Sequence, residues 1–183
     1  MLKAVLSRMI DRVEKTWGYD ASYMRHVLRV SPATFLRFSF VTGLVDRKAA
    51  PAEALAAAGI VGALAEDCGP CTQIGVDMAA ASGVKPEVLR AILAGDEPAM
   101  GEAAGLAYRF ARASLLRDLL GVEPLREEVV RRWGEKGLVA LSMALTTARM
   151  YPTLKYALGY GKACSKVVVA GVATPVVHVP LAA

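Results

Sequence analysis

Histidine and cysteine are scarce in this chain: two of the first, His26 and His178, and three of the second, Cys68, Cys71 and Cys164. An odd, small number of cysteines with no secretion signal argues against a disulfide scaffold. No cluster of histidine and arginine marks a pocket for an anionic substrate. The net charge of +5 has no basic stripe behind it. Basic residues are scattered and often stand beside acids, as in Arg117-Asp118 and Arg126-Glu127-Glu128, which describes a solvated surface rather than a nucleic-acid face. A long apolar run is also missing. The longest uncharged stretch, Val167 to Ala183, is interrupted by Pro175 and Pro180 and is shorter than the ~20 residues of a spanning helix. Arg8, Asp11, Arg12, Glu14 and Lys15 break up the N-terminus before any signal-peptide core develops. The expectation is a cytoplasmic protein without a membrane partner.

Against these absences stands an apolar surplus. The hydrophobic fraction is 55% and the mean hydropathy +0.38. Without a membrane segment, subunits that bury apolar faces against each other account for it, so a homo-oligomer is expected. Strand signals are nearly absent before residue 167, and no internal repeat or low-complexity linker occurs. Leu2, Val5, Leu6, Met9, Ile10, Val13 and Trp17 recur at helical spacing up to Gly18. Asp20 is the expected N-cap of a second helix to Val30, and Ser31-Pro32 opens a third. Pro51 starts PAEALAAAGIVGALAED, whose small side chains suit a packed central helix. Further helices are expected over Pro86–Leu93, Ala103–Leu119, Pro124–Trp133 and Leu138–Tyr151, the last ending at Pro152. The fold class is all-α: one helical domain over residues 1–166, then an extended tail over 167–183. That tail is rich in valine but broken by prolines, and reads as draped over a subunit rather than part of a sheet.

The stretch AEDCGPCTQIGVDMAAASG, residues 65–83, carries the chemistry. Cysteine attacks as its thiolate, and a helix N-terminus lowers a thiol pKa from its ordinary value of about 8.5. Pro70 suits the first turn of a helix running to Gly83. The i, i+3 spacing then puts the Cys68 and Cys71 sulfurs on one side of that turn, within reach of a small-loop disulfide. Three readings of the pair are open: a working redox dithiol, two thiols that only pack, or half of a zinc site completed by Cys164 and His178. The CGPC of a thioredoxin follows a hydrophobic strand and a tryptophan. Here Glu66-Asp67 and an alanine-rich helix precede it.

A CxxC opening a helix after an alanine-rich helix, in an all-α chain, resembles the carboxymuconolactone decarboxylase / alkylhydroperoxidase D superfamily. The stretch RRWGEKGLVALSMALTTARMYPTLKYALG, residues 131–159, is similar to the closing helices of its longer members. The likeness covers most of residues 35–160. It implies an alkylhydroperoxidase D-like helical bundle assembled as trimers or hexamers. It further implies reduction of a small-molecule peroxide or a protein disulfide through Cys68 and Cys71, regeneration by an external reductant, and no bound cofactor or metal. Redox-active members carry CxxCxxxH and a glutamate about a dozen residues upstream. Here Gly75 stands four residues after Cys71, and Ala56 twelve before Cys68, with Glu53 one turn earlier.

With the imidazole gone, Glu66 and Asp67 are the candidate proton acceptors beside Cys68. A carboxylate so close also opposes thiolate formation, and favourable charge at a helix start is its simpler role. Asp77, six residues beyond Cys71, is turned off its face and reads as a surface or interface group. Gln73 is similar, with a hydrogen bond to offer. His26 can come in from an early helix, and Arg149 and Tyr151 can line a pocket or make capping contacts. Which sulfur leads is open. A non-catalytic helical oligomer with a decayed site is the alternative function. A third reading, decarboxylase or lactone chemistry, gives the dithiol no task.

Overall fold

Prolines and small polar residues set most of the helix starts. The computed structural model describes residues 2–162 and 166–177. Within them run α1 (Leu2–Trp17), α2 (Ser22–Val30), α3 (Pro32–Ser39), a 3-10 turn (Val41–Leu44), α4 (Ala52–Ala65), α5 (Gly69–Ala81), α6 (Pro86–Ala94), α7 (Glu97–Leu115) and α8 (Leu119–Ala157). Ser31 caps α3 by accepting from the Thr34 N–H at 3.2 Å, with Pro32 in the first turn. Asp20 lies just ahead of the residue that caps α2. The helix starts at Ser22, whose N–H and hydroxyl both donate to the Asp20 carboxylate, at 3.0 and 2.6 Å. The all-α expectation is met among the described residues, and none of their helices is long and apolar enough to cross a membrane.

Two sequence expectations change at α8. The separate helices expected around Trp133 follow one another directly, parted only where Gly134 takes φ +70° and leaves the helical path. The second segment also runs past Pro152 to Ala157. A proline removes one rung of the helical ladder. Pro152 is nonetheless buried, and Leu154 and Leu158 beyond it pack into a hydrophobic cluster that offsets the lost bond.

The alanine-rich α4 is the packed central helix its sequence announces, lying against both α7 and α8. Ala54, Ala57, Ala58 and Val61 are fully buried. Gly62 permits the closest approach: a Cβ there would lie 2.7 Å from the Leu145 carbonyl oxygen of α8. A second, smaller core gathers Leu6, Ile10, Tyr23, Leu28 and Phe35 from the first three helices and Tyr19 from the connection between α1 and α2. Ile74 of α5 and Tyr151, Leu154 and Leu158 of α8 and its exit close it from the other side.

The tail follows the helices, as expected, but it pairs with itself. β1 (Lys166–Val169) and β2 (Val172–Pro175) form an antiparallel hairpin across Ala170-Gly171. Alternation fixes its face: Val167 and Val169 are buried and Val168 is exposed. Gln73 of α5 anchors it, donating from Nε2 to the Val168 carbonyl at 2.9 Å and accepting from the Val168 N–H at 2.8 Å.

Candidate active site

Cys68 is the N-cap of α5, with extended backbone (φ −109°, ψ 98°), and Gly69 and Pro70 supply the first turn. Its carbonyl accepts from the Thr72 N–H at 2.9 Å and the Thr72 hydroxyl at 3.0 Å. The Gly69 N–H donates to the Lys162 carbonyl at 3.2 Å, so the segment leaving α8 engages one of the amides that the helix start leaves over. Cys68 and Cys71 are joined as a disulfide, their Cα atoms 5.3 Å apart. The two sulfurs differ in access. Cys68 is 0% exposed, whereas Cys71, at 6%, borders a cavity of ≈ 780 Å³.

That cavity separates the two cores. Trp17 of α1 and Phe35 of α3 face Ala56 and Gly59 of α4, Ile74 of α5 and Tyr151 of α8 across it. Its wall is chiefly apolar, and small residues on α4 and α5 make the room. Gly75 belongs to this wall, and a Cβ there would meet nothing within 4 Å. Four residues after Cys71, on the same face of α5, this chain thus has open space in place of a side chain.

One polar cluster meets the disulfide from the opposite core. The Tyr19 hydroxyl lies 3.9 Å from Cys71 Sγ and donates to the Tyr23 hydroxyl at 3.4 Å. Lys155 Nζ donates to the Tyr19 hydroxyl at 3.3 Å. The same ammonium sits 4.8 Å from the Tyr19 ring centre and 5.3 Å from that of Tyr23, so two aromatic faces share its charge. Lys155 is only 2% exposed and has no carboxylate within ion-pairing distance among the described residues. Burial lowers its pKa below the ordinary lysine value. Burial likewise raises both tyrosines above theirs, so the hydroxyls keep their protons.

The residues singled out in the sequence divide between structure and site. Glu66 turns its carboxylate to α8: Oε1 accepts from Arg149 Nε at 2.6 Å, and Oε2 lies 3.1 Å from the Thr153 hydroxyl. Asp67 takes a positive φ of 48° in the turn before α5, and its carbonyl accepts from the Tyr156 hydroxyl at 2.8 Å. Asp77 accepts from Gln73 at 2.9 Å on the hairpin side of α5. His26 pairs with the Tyr160 hydroxyl at 3.1 Å. Tyr151 borders the cavity and packs edge-on against Phe38. Cys164 and His178, the zinc partners considered above, lie outside the described residues. Among the described residues no three His, Cys, Asp or Glu side chains are grouped to hold a metal ion.

Tyr19 and Lys155 are the residues that sequence reasoning missed. Tyr19 is 52 positions from Cys71 and 136 from Lys155, distances that no periodicity bridges. One signal was present. In YPTLKYALG, continuing the helix through Pro152 puts Lys155 one turn from Tyr151, on the buried side of an apolar segment. No protein-family model matches this chain, and no curated protein or solved structure is similar to it.

Proposed function

We propose that this protein is a thiol-based oxidoreductase that cycles between a Cys68/Cys71 dithiol and their disulfide, on an alkylhydroperoxidase D-like helical frame. The observation that carries the reading is the Cys68–Cys71 disulfide at the start of α5 with one sulfur, Cys71, in the wall of a ≈ 780 Å³ cavity. Cys71 is the sulfur a substrate meets, and Cys68, sealed behind it, resolves. In the oxidative half, the Cys71 thiolate attacks a peroxide O–O or a disulfide S–S bond, and the displaced oxygen or sulfur leaves with a proton. Cys68 then attacks Cys71 Sγ, forming the internal disulfide and releasing water or the second thiol. The acceptor gains two electrons and two protons, and the dithiol loses both. An external dithiol of the cytoplasm restores the pair by exchange. Glu66 and Arg149 act as a clasp that holds the preceding turn.

Exposed Leu36, Phe40 and Leu44 near the cavity, with Leu119 and Leu120 at the start of α8, support self-association into a homo-oligomer. Sedimentation velocity of the purified protein tests this, and a monomer at all concentrations would refute it.

The complete burial of Cys68 favours a second reading, a disulfide that only braces α5. Equilibration in graded thiol buffers, followed by mass mapping of the Cys68 and Cys71 peptides, separates the two. Reversible exchange with turnover of a peroxide or disulfide acceptor, abolished in Cys71→Ser, is expected for the enzyme. A pair that stays oxidised in every buffer that leaves the fold intact belongs to the brace.

A further inference from the structure

Without its imidazole, the dithiol still touches one cationic network. We propose that Tyr19 and Lys155 take the place of the missing imidazole by stabilising the thiolate, whose proton passes to solvent: the Tyr19 hydroxyl hydrogen-bonds the Cys71 thiolate, and the Lys155 ammonium holds Tyr19 and supplies the positive charge. This inference rests on the redox reading above and assigns its catalytic machinery. Tyr19 is the catalytic residue, since its hydroxyl already stands 3.9 Å from Cys71 Sγ. Lys155 acts through it, 3.3 Å away, and is a positioning residue.

The burial of Lys155 is what calls for an explanation. A lysine 2% exposed, with no carboxylate paired to it among the described residues, is a costly feature unless its charge meets a developing anion. Two tyrosine rings and one hydroxyl offset part of that cost in the oxidised protein, where the sulfurs are neutral. Reduction creates the anion. When the mixed disulfide between Cys71 and an external dithiol is resolved, Cys71 leaves as a thiolate, and the Tyr19 proton can turn from the Tyr23 oxygen to the sulfur. The ammonium then completes a charge-balanced chain, Lys155–Tyr19–Cys71. In the oxidative half, the same chain holds Cys71 as the nucleophile at neutral pH.

The other ionisable groups around this chain leave that role to Lys155. Asp20, at the loop before α2, is half-exposed and engaged by Ser22 and Lys162; its charge favours the lysine ammonium, while Lys162 opposes it. Tyr23 of α2, its hydroxyl held neutral by burial, lies on the same side, with Tyr151 of α8 near it. Glu66, ahead of α5, is matched by Arg149, and Asp67 follows it in the turn. His26 is turned to Tyr160.

The test is the pH profile of Cys71 alkylation by iodoacetamide in the reduced full-length protein, read on the Cys71 peptide by mass spectrometry. Lys155→Met, Lys155→Arg and Tyr19→Phe are compared with the parent, with circular dichroism and urea midpoints checking the fold. The parent profile is expected to lie below that of a free thiol, about pH 8.5. Lys155→Met and Tyr19→Phe should move it to higher pH and slow alkylation at neutral pH about tenfold, the loss of one charge-assisted hydrogen bond. Lys155→Arg should restore part of the rate. A folded Lys155→Met protein with the parent profile overturns the relay while leaving the redox reading standing. A parent Cys71 that titrates as a free thiol, with no turnover, overturns both.

Discussion

Arg149 meets the Glu66 carboxylate at 2.6 Å, joining α8 to the turn that leads into Cys68. Glu66 is thus engaged before it can serve the sulfur it precedes. The Thr153 hydroxyl, 2.7 Å from the Arg149 carbonyl and 3.1 Å from Glu66, shares its single proton between them. Glu66→Gln should lower the unfolding free energy by about 1 kcal/mol, the pair being partly exposed. Urea denaturation measures that loss. The Cys71 alkylation profile should stay in place; a shift would return Glu66 to the proton-accepting role its position suggests.

Lys155 and the tyrosines around it should give stability a maximum on the alkaline side. Burial lowers the Lys155 pKa, so between its folded value and the ordinary 10.5 the unfolded chain binds more protons, and stability rises with pH. Tyr19 and Tyr23 have raised pKa values; above the ordinary 10.0 the unfolded chain has lost tyrosine protons that the folded chain keeps. Their contribution is complete below that value and is lost as pH climbs toward the folded values. Urea midpoints across the alkaline range should therefore rise and then fall. Lys155→Met should flatten the rising limb, and Tyr23→Phe the falling one.

At Gly62 there is no space for a methyl group. Its Cβ would stand 2.7 Å from a backbone oxygen of Leu145, which cannot swing aside. Gly62→Ala gains helix propensity yet should destabilise the protein by about 1–3 kcal/mol through overpacking of α4 against α8. Thermal and urea unfolding of the variant against the parent checks the sign.

Gly75 behaves in the opposite way. A methyl there meets nothing within 4 Å, so Gly75→Ala should stabilise α5 by about 0.5–1 kcal/mol. Gly75→Phe should fill the cavity beside Cys71 and slow bulky disulfide acceptors more than hydrogen peroxide. Equal slowing for both would mean that substrates reach Cys71 by another route.

Local punctuation was the most legible part of this chain. Ser31-Pro32, Pro70 and the alanine run of α4 each signal an element that the structure contains, because caps and side-chain size act over a few residues. Pro152 misled for the complementary reason. It stops an isolated helix, but Leu154 and Leu158 dock in the second core and carry the helix through, bringing Lys155 to Tyr19. The dithiol was legible as a pair, since its geometry needs one helical turn. Its neighbours depend on how α1 to α3 pack against α5 and α8, and no local pattern encodes that. The tail was rich in valine, as strands are, but prolines obscured a hairpin that a side chain of α5 helps to fix.

Gln73 has one more consequence. A two-stranded ribbon leaves each strand with an unpaired rim of N–H and C=O groups, which can template association with another chain. At Val168 the carboxamide of Gln73 takes up both groups, as a neighbouring strand would. The helix that begins at the cysteines thus ends the sheet on that side with a single side chain, and this position is withdrawn from any fibril-like stacking of the ribbon.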